Sequence, residues 1–151
     1  MTETERKFLV DKQALGVILD NSPQCYDIRQ AYVSDDPAVR VRVIDNKRAE
    51  LTIKKRVNDT SSKEINVDIS VDEAKGVIEE ICDDKVIHKT RHLYNGWEID
   101  VFREHFDGLV VAEFEGSVDE VENLIVPPWC SKEVTTDPKY KNEQMFNELN
   151  S

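Results

Sequence analysis

Segment after segment of this chain alternates between apolar and charged residues, and the charged positions carry both signs. Val39, Val41 and Val43 alternate with Arg40 and Arg42; Leu51 and Ile53 alternate with Glu50, Thr52, Lys54 and Arg56. Ile65, Val67 and Ile69 interleave with Glu64, Asn66 and Asp68, and Trp97, Ile99 and Val101 with Glu98 and Asp100. Successive side chains of a β-strand point to opposite faces, so each segment has one apolar and one charged face. The opening stretch, Thr2 to Val10, belongs to this set. Glu3, Glu5 and Lys7 share a face, with the two carboxylates about 7 Å apart along the strand. Two carboxylates suit a hard cation, and an ammonium suits a phosphate oxygen.

Between these strands the sequence predicts short amphipathic helices. Asp11 to Asn21 carries Ala14, Leu15, Ile18 and Leu19 on one stripe, with Asp11 placed to cap it. Ser70 with Glu73, and Ser117 with Glu120, have the spacing of capping boxes. The first opens a helix with Val71, Ala74, Val77, Ile78 and Ile81 on one side; the second opens one whose Val121, Leu124 and Ile125 face inward. A last helix is expected from Asn142 to Leu149. Further strands are expected at Tyr26–Val33, at Val86–Tyr94 (joined to Trp97–Phe102 through an Asn95-Gly96 hairpin turn) and at Leu109–Glu115. Asn58 to Ser62 reads as a polar loop. About eight hairpin-linked strands with short helices make an antiparallel α+β domain spanning residues 1–151. So many strands with so few ways to hide their edges favour a closed eight-stranded barrel.

The net charge of −11 argues against a general nucleic-acid or anionic-membrane binder. There is no apolar run long enough to span a bilayer, and the N-terminal stretch is charged, unlike a secretory leader. Cys25, Cys82 and Cys130 show no CxxC spacing, as expected of reduced thiols in a cytoplasmic protein.

The destination of the charged faces decides the function. In an ordinary half-buried sheet they meet water. The amphipathic helices, however, need apolar partners. If they cover the apolar sheet face from outside, the charges line a lumen. A lumen holding Lys7, Arg40, Arg42, Lys54, Arg56, Lys89 and Arg91 together with Glu3, Glu5, Glu64, Glu98, Asp100, Glu113 and Glu115 would be costly unless it served a charged ligand. Bases would clamp an anion and carboxylates would bring it a divalent cation. Other chemistries lack their motifs: no P-loop, dinucleotide fingerprint, nucleophile elbow or HExxH occurs. His88 and His92 share a strand face without making a ligand pair. Tyr32, sharing its face with Gln30, is the aromatic that stands out.

Laid out in order, these segments resemble the CYTH superfamily of triphosphate tunnel metalloenzymes, and most of all its short bacterial members that hydrolyse inorganic triphosphate. Glu3-Thr4-Glu5-Arg6-Lys7 matches an opening ExExK, Arg29-Gln30-Ala31-Tyr32 an RQGY-like strand, and Arg40-Val41-Arg42 and Lys54 the basic strands. Lys89-Thr90-Arg91, Glu98-Ile99-Asp100-Val101-Phe102, Glu113-Phe114-Glu115 and the tail Lys139-Tyr140-Lys141-Asn142 follow. The resemblance implies an eight-stranded antiparallel tunnel with a charged lumen. It implies that Lys7, Arg40, Arg42, Lys54, Lys89 and Arg91 hold triphosphate or nucleoside triphosphate oxygens. Glu3, Glu5, Glu113 and Glu115 would bind Mg²⁺ or Mn²⁺, Lys89 facing Tyr32 would activate water, and a homodimer would form. A class IV-type adenylyl cyclase and a non-catalytic triphosphate- or polyphosphate-binding module are the alternatives. One strand departs from the pattern: where the family often has R-x-E-x-E, Ser62-Lys63-Glu64-Ile65-Asn66 lacks the leading base and ends in an amide.

Overall fold

The alternation folds into one continuous ring of antiparallel strands. The structure is a computed structural model and describes residues 1–149. Its strands are β1 (Thr2–Val10), β2 (Cys25–Asp35), β3 (Ala38–Ile44), β4 (Arg48–Arg56), β5 (Ser61–Ile69), β6 (Ile87–Tyr94), β7 (Trp97–Phe102), β8 (Val110–Gly116) and β9 (Cys130–Glu133). The helices are α1 (Lys12–Asp20), α2 (Val71–Glu80), α3 (Val118–Glu122) and α4 (Asn142–Glu148). Neighbours run β5-β4-β3-β2-β6-β7-β8-β1, and β1 pairs back onto β5, which closes an eight-stranded barrel.

The closing seam is short. Thr2, Glu3 and Thr4 pair with Lys63, Ser62 and Ser61, and Thr4 and Ser61 join their hydroxyls at 2.8 Å. β5 therefore begins at Ser61, inside the stretch expected as a loop, because the backbone there must satisfy β1. Beyond the seam β1 leaves β5 and takes β9 on the same edge, with Phe8 opposite Glu133. β9 was not foreseen from the sequence: four residues after Pro127-Pro128-Trp129 show no alternation, and only the unpaired edge of β1 makes them a strand.

The apolar faces point outward and the helices cover them. Ala74 and Ile78 of α2 join the outward-facing Ala31, Val41, Val43 and Ala49, and the same cluster takes in Met145 and Phe146 of α4 with Ile87 and Phe102, which share the inner face of β6 and β7 with Lys89 and Asp100. Ile18 of α1 joins Phe8, Trp97, Ile99 and Ala112 in a second, with Trp129 packed against it. Trp97 is its hub, edge-on to Phe8 and Trp129 at 5.7 and 5.1 Å between ring centroids. Each aliphatic or aromatic side chain fully buried in these clusters contributes about 1.5–3 kcal/mol. Both expected capping boxes form, and Asp11 caps α1. Asn95 and Gly96 adopt φ of 48° and 83°, as a tight hairpin turn between β6 and β7 requires. Two helix stripes end early. α3 stops at Glu122, so Ile125 is exposed, and Ile81 lies at the C-cap of α2 and is exposed too.

Candidate active site

Because the apolar faces are spent on the shell, the charged faces converge inside. Glu3, Glu5, Lys7, Tyr32, Arg40, Arg42, Lys54, Lys89, Arg91, Glu113 and Glu115 all border one lumenal cavity of about 220 Å³. This is the full set of candidate residues. Of the other lumen candidates, Glu64 and Glu98 border the same cavity, whereas Arg56 borders an adjoining one that shares Glu5, Lys7, Lys54 and Glu143.

The two signs are segregated by strand. Contiguous strands β7, β8, β1 and β5 supply Glu98, Asp100, Glu113, Glu115, Glu3, Glu5 and Glu64. The opposite wall, β6, β2, β3 and β4, supplies Lys89, Arg91, Gln30, Tyr32, Arg40, Arg42 and Lys54. Lys7 on β1 and Glu50 on β4 are the exceptions, one of each sign set into the other's wall.

On the acidic wall, Glu3, Glu5, Glu113 and Glu115 each offer an oxygen, all within 4.8 Å of one another. Burial and the neighbouring carboxylates raise the pKa of Glu113 and of Glu115, and burial with a hydrogen bond to Glu64 pushes Glu3 up to about 10. Glu5 stays ionised: burial opposes this, but a hydrogen bond from Glu113 and the charges of Lys7 and Lys54 hold its pKa low. Lys54 reaches Glu3 and Glu5 at 3.4 Å each. One Glu5 oxygen, Oε2, is buried without a hydrogen-bond partner. Clustered carboxylates with an orphaned oxygen are a donor set that fits a hard divalent cation.

On the basic wall the charges are held in place by polar partners. Arg42 donates to Gln30 at 2.8 Å, and Arg40 and Arg42 lie 3.6 and 3.7 Å from Glu50. Burial, then the charges of Arg40 and Arg91, lower the Arg42 pKa to about 9. Arg40 also donates to Thr52, which donates to Asn66, whose amide donates to Glu64 at 2.8 Å. The departure from the family pattern at Asn66 is thus structurally employed: its side-chain oxygen accepts from Thr52 and its amide donates to Glu64. Arg91 forms paired bonds to Asp100 at 2.8 and 3.0 Å and a third to Glu98.

Lys89 is 2% exposed and lies 2.8 Å from Asp100. Burial lowers its pKa to about 7; Asp100 pulls the other way, and Arg91 and Arg42 add to the fall. Its ammonium also donates to Asn142 of α4 at 3.0 Å, and Asn142 accepts from Gln30 at 2.8 Å. Tyr32 borders the same cavity, but the Lys89 ammonium meets Asp100, Asn142 and the face of the Phe102 ring, while the Tyr32 ring packs on Phe146 at 5.9 Å. Asn142 carried no role in the sequence reading, because its arrival depends on α4 docking across the barrel. His88 lies outside the cavity lining, bonded to Asp27 and Glu104.

Fold and lumen together define a tunnel-type antiparallel barrel with a basic wall facing a carboxylate cradle. The CYTH domain matches residues 1–143, and the chain belongs to the CYTH-domain family. It is similar to an inorganic triphosphatase of Acetivibrio thermocellus, 35% identical over 149 residues, covering 95% of this chain and 92% of that protein. It is also similar to an inorganic triphosphatase of Nitrosomonas europaea, 30% identical over 152 residues, covering 96% and 97%. The crystal structure of the inorganic triphosphatase NE1496 superposes with a TM-score of 0.62 at 29% identity, covering 96% of this chain and 94% of that one. The PH1819 protein of Pyrococcus horikoshii, at 18% identity and a TM-score of 0.52, shares the fold.

Proposed function

We propose that this protein hydrolyses inorganic triphosphate to diphosphate and phosphate in the lumen of its barrel, with Mg²⁺ or Mn²⁺ as cofactor. The observation that carries the proposal is the segregation of charge: a row of cations on one wall faces four carboxylates gathered within 4.8 Å on the other. Relatives of this length and similarity are named inorganic triphosphatases.

Lys7, Arg40, Arg42, Lys54, Lys89 and Arg91 bind phosphate oxygens; the arginines do so with geometry preset by Gln30, Glu50 and Asp100. Glu3, Glu5, Glu113 and Glu115 hold the cation, which when bound offsets charge on the phosphates and on the departing diphosphate. The Lys89 amine takes a proton from the attacking water, whose oxygen bonds to the terminal phosphorus as the bond to the diphosphate oxygen breaks. A lysine with a pKa near 7 has a substantial neutral fraction at physiological pH, as a base requires. The buried Tyr32 hydroxyl stays protonated, since burial raises its pKa, and so borders the cavity as a hydrogen-bond donor.

The three described thiols are unpaired, in keeping with a cytoplasmic setting. The homodimer contact falls on β5. From Ile65 to Ile69 this strand pairs with β4 alone among the described residues, and Ile53, Ile65 and Val67 are exposed beside it. An antiparallel two-fold pairing would set the Ile65–Ile69 edge of one copy against the same edge of the other.

The test compares phosphate release from triphosphate, ATP, thiamine triphosphate and diphosphate with Mg²⁺ and with Mn²⁺, with cyclic AMP assayed in the ATP sample. Preference for triphosphate is expected. Cyclic AMP, or tight triphosphate binding without turnover, would replace the proposal with a cyclase or a binding module. Sedimentation at micromolar concentration tests the dimer; a monomer, or a dimer that survives Val67→Lys, removes the β5 contact.

A further inference from the structure

We propose that Asn142 is a positioning residue for Lys89: its side-chain oxygen, together with Asp100, fixes the direction in which the neutral Lys89 amine presents its lone pair. The inference rests on the reading of Lys89 as the base given above.

The argument is stereochemical. A neutral lysine amine has four tetrahedral directions: the bond to Cε, two N–H bonds and one lone pair. Asp100 Oδ2 lies 2.8 Å from Lys89 Nζ and Asn142 Oδ1 lies 3.0 Å from it. Both are oxygens that accept, and each can take one of the two N–H bonds of the neutral amine. The lone pair is left the remaining direction, and the residue borders the lumenal cavity. With one acceptor missing, the amine rotates about its Cε bond and the lone pair shares its time between directions. A proton transfer needs the base within hydrogen-bond reach of the water and aligned with it. Asp100 alone does not define the rotation, because either N–H of the neutral amine can point at it, which leaves the lone pair two orientations.

Asn142 is itself held. Its Oδ1 accepts a second bond, from Gln30, and the Gln30 oxygen accepts from Arg42. The chain Arg42–Gln30–Asn142–Lys89 therefore links a phosphate-binding guanidinium on β3 to the base on β6 through the first residue of α4. Met145 and Phe146, both buried, dock that helix, and Asn147 ties its far side to Asp35 at 3.1 Å. A hydrogen-bonding role for position 142 thus separates from docking of the helix.

The experiment measures kcat and KM for triphosphate with Mn²⁺, across pH, in the full chain and in Asn142→Ala, Asn142→Asp and Asn147→Ala. Asn142→Ala is expected to lose kcat by about 30-fold with KM within about threefold, a loss of alignment and not of binding. Asn147→Ala, which loosens the same helix without touching Lys89, is expected to keep kcat within about twofold. Asn142→Asp keeps an acceptor oxygen in place and adds a negative charge beside Asp100, Arg91 and Arg42, the charged groups that face the amine. Its alkaline-side kcat is expected to be close to that of the parent, with the acid limb of the profile moved up by about one pH unit. The ¹⁵Nζ resonance of Lys89, followed through the same pH range, reports the same displacement without turnover. An Asn142→Ala enzyme with undiminished kcat overturns the inference. So does an Asn147→Ala enzyme that loses as much, since helix docking would then explain the effect. A parent protein that releases no phosphate from triphosphate overturns the reading of the function itself, an outcome visible before any variant is made.

Discussion

The two walls of the lumen solve the problem of buried charge in opposite ways. On the basic wall each arginine that borders the cavity has a polar partner that fixes its direction, Arg91 on Asp100, Arg42 on Gln30 and Arg40 on Thr52, although Arg40 Nε is buried without a partner of its own. On the acidic wall four carboxylates crowd together, share protons and leave Glu5 Oε2 without any donor. A buried pair is tolerated when its hydrogen bonds are complete, and unpaired buried charge costs several kcal/mol. The basic wall is therefore placed in advance, with Arg40 Nε its one orphaned donor, and on the proposed function it would receive an anion with little rearrangement. On the proposed function the acidic wall would be completed by a cation. The lesson is that the two halves of the ligand set, anion and metal, meet surfaces of different readiness.

The sharpest way to break this contrast is on the acidic wall. Glu5→Gln removes the ionised member of the cluster and should lower turnover by about a thousandfold, the few kcal/mol that a divalent cation supplies to phosphoryl transfer. Triphosphate binding measured by calorimetry without metal should change little. If turnover and metal-free binding fall together, Glu5 serves the anion site and the division of labour between walls is wrong. Next in size is Lys89→Met, expected to cost about a hundredfold in kcat. The sign of the pH effect is fixed: the folded-state pKa near 7 lies below the ordinary lysine value, so parent activity should rise as pH climbs through 7 and the amine loses its proton. The variant should lose that limb. A limb retained in Lys89→Met assigns it to another group.

On the basic wall the expected effect is smaller and of a different kind. Arg42→Lys keeps a charge but loses the fork that engages Gln30 and, on the proposed function, would engage a phosphate as well. KM should rise about tenfold, one charge-assisted hydrogen bond, with kcat within about threefold. A larger fall in kcat than rise in KM would mean that the arginine acts in the transition state and that this wall does more than hold.

Much of this contrast was legible in the sequence, for physical reasons that differ by residue. Period-two alternation puts Arg40 with Arg42 and Glu113 with Glu115 on one face whatever the tertiary structure, so the inward set needed only the direction of curl. The helices supplied that direction, since Ala74, Ile78 and Ile18 needed an apolar surface to cover. Residues placed by long-range contact were not legible. Asn142 meets Gln30 and Lys89 from 112 and 53 residues away, and β9 is a strand only because β1 leaves an edge open. The helix ends at Ile81 and Ile125 were overextended, because an apolar residue at or just past a cap looks the same in sequence whether or not the helix reaches it. The cause of the low Lys89 pKa was not legible either. The neighbouring cations contribute, but burial is the larger cause, and depth is not written in the alternation.

The gentlest test of the two walls reads protons instead of catalysis. In the absence of metal, burial and mutual repulsion raise the pKa values of Glu113, Glu115 and Glu3, the last to about 10, so near neutral pH the acidic wall holds protons that isolated glutamates would have lost. A carboxylate must be ionised to ligate, and the cation must therefore displace them. Mn²⁺ binding at pH 7 should release about one to two protons, measured by calorimetry in buffers of different ionisation enthalpy. Because the metal-bound state holds fewer protons than the free state, affinity should rise with pH, by about tenfold per unit for each proton released. Triphosphate binding to the basic wall should show no comparable release, since Asp100 keeps Arg91 charged and in place. Glu5→Gln should weaken Mn²⁺ binding while leaving the raised groups in position. If Mn²⁺ binds without releasing protons, the carboxylates are ionised before the metal arrives, and the acidic wall is as prepared for its ligand as the basic wall is.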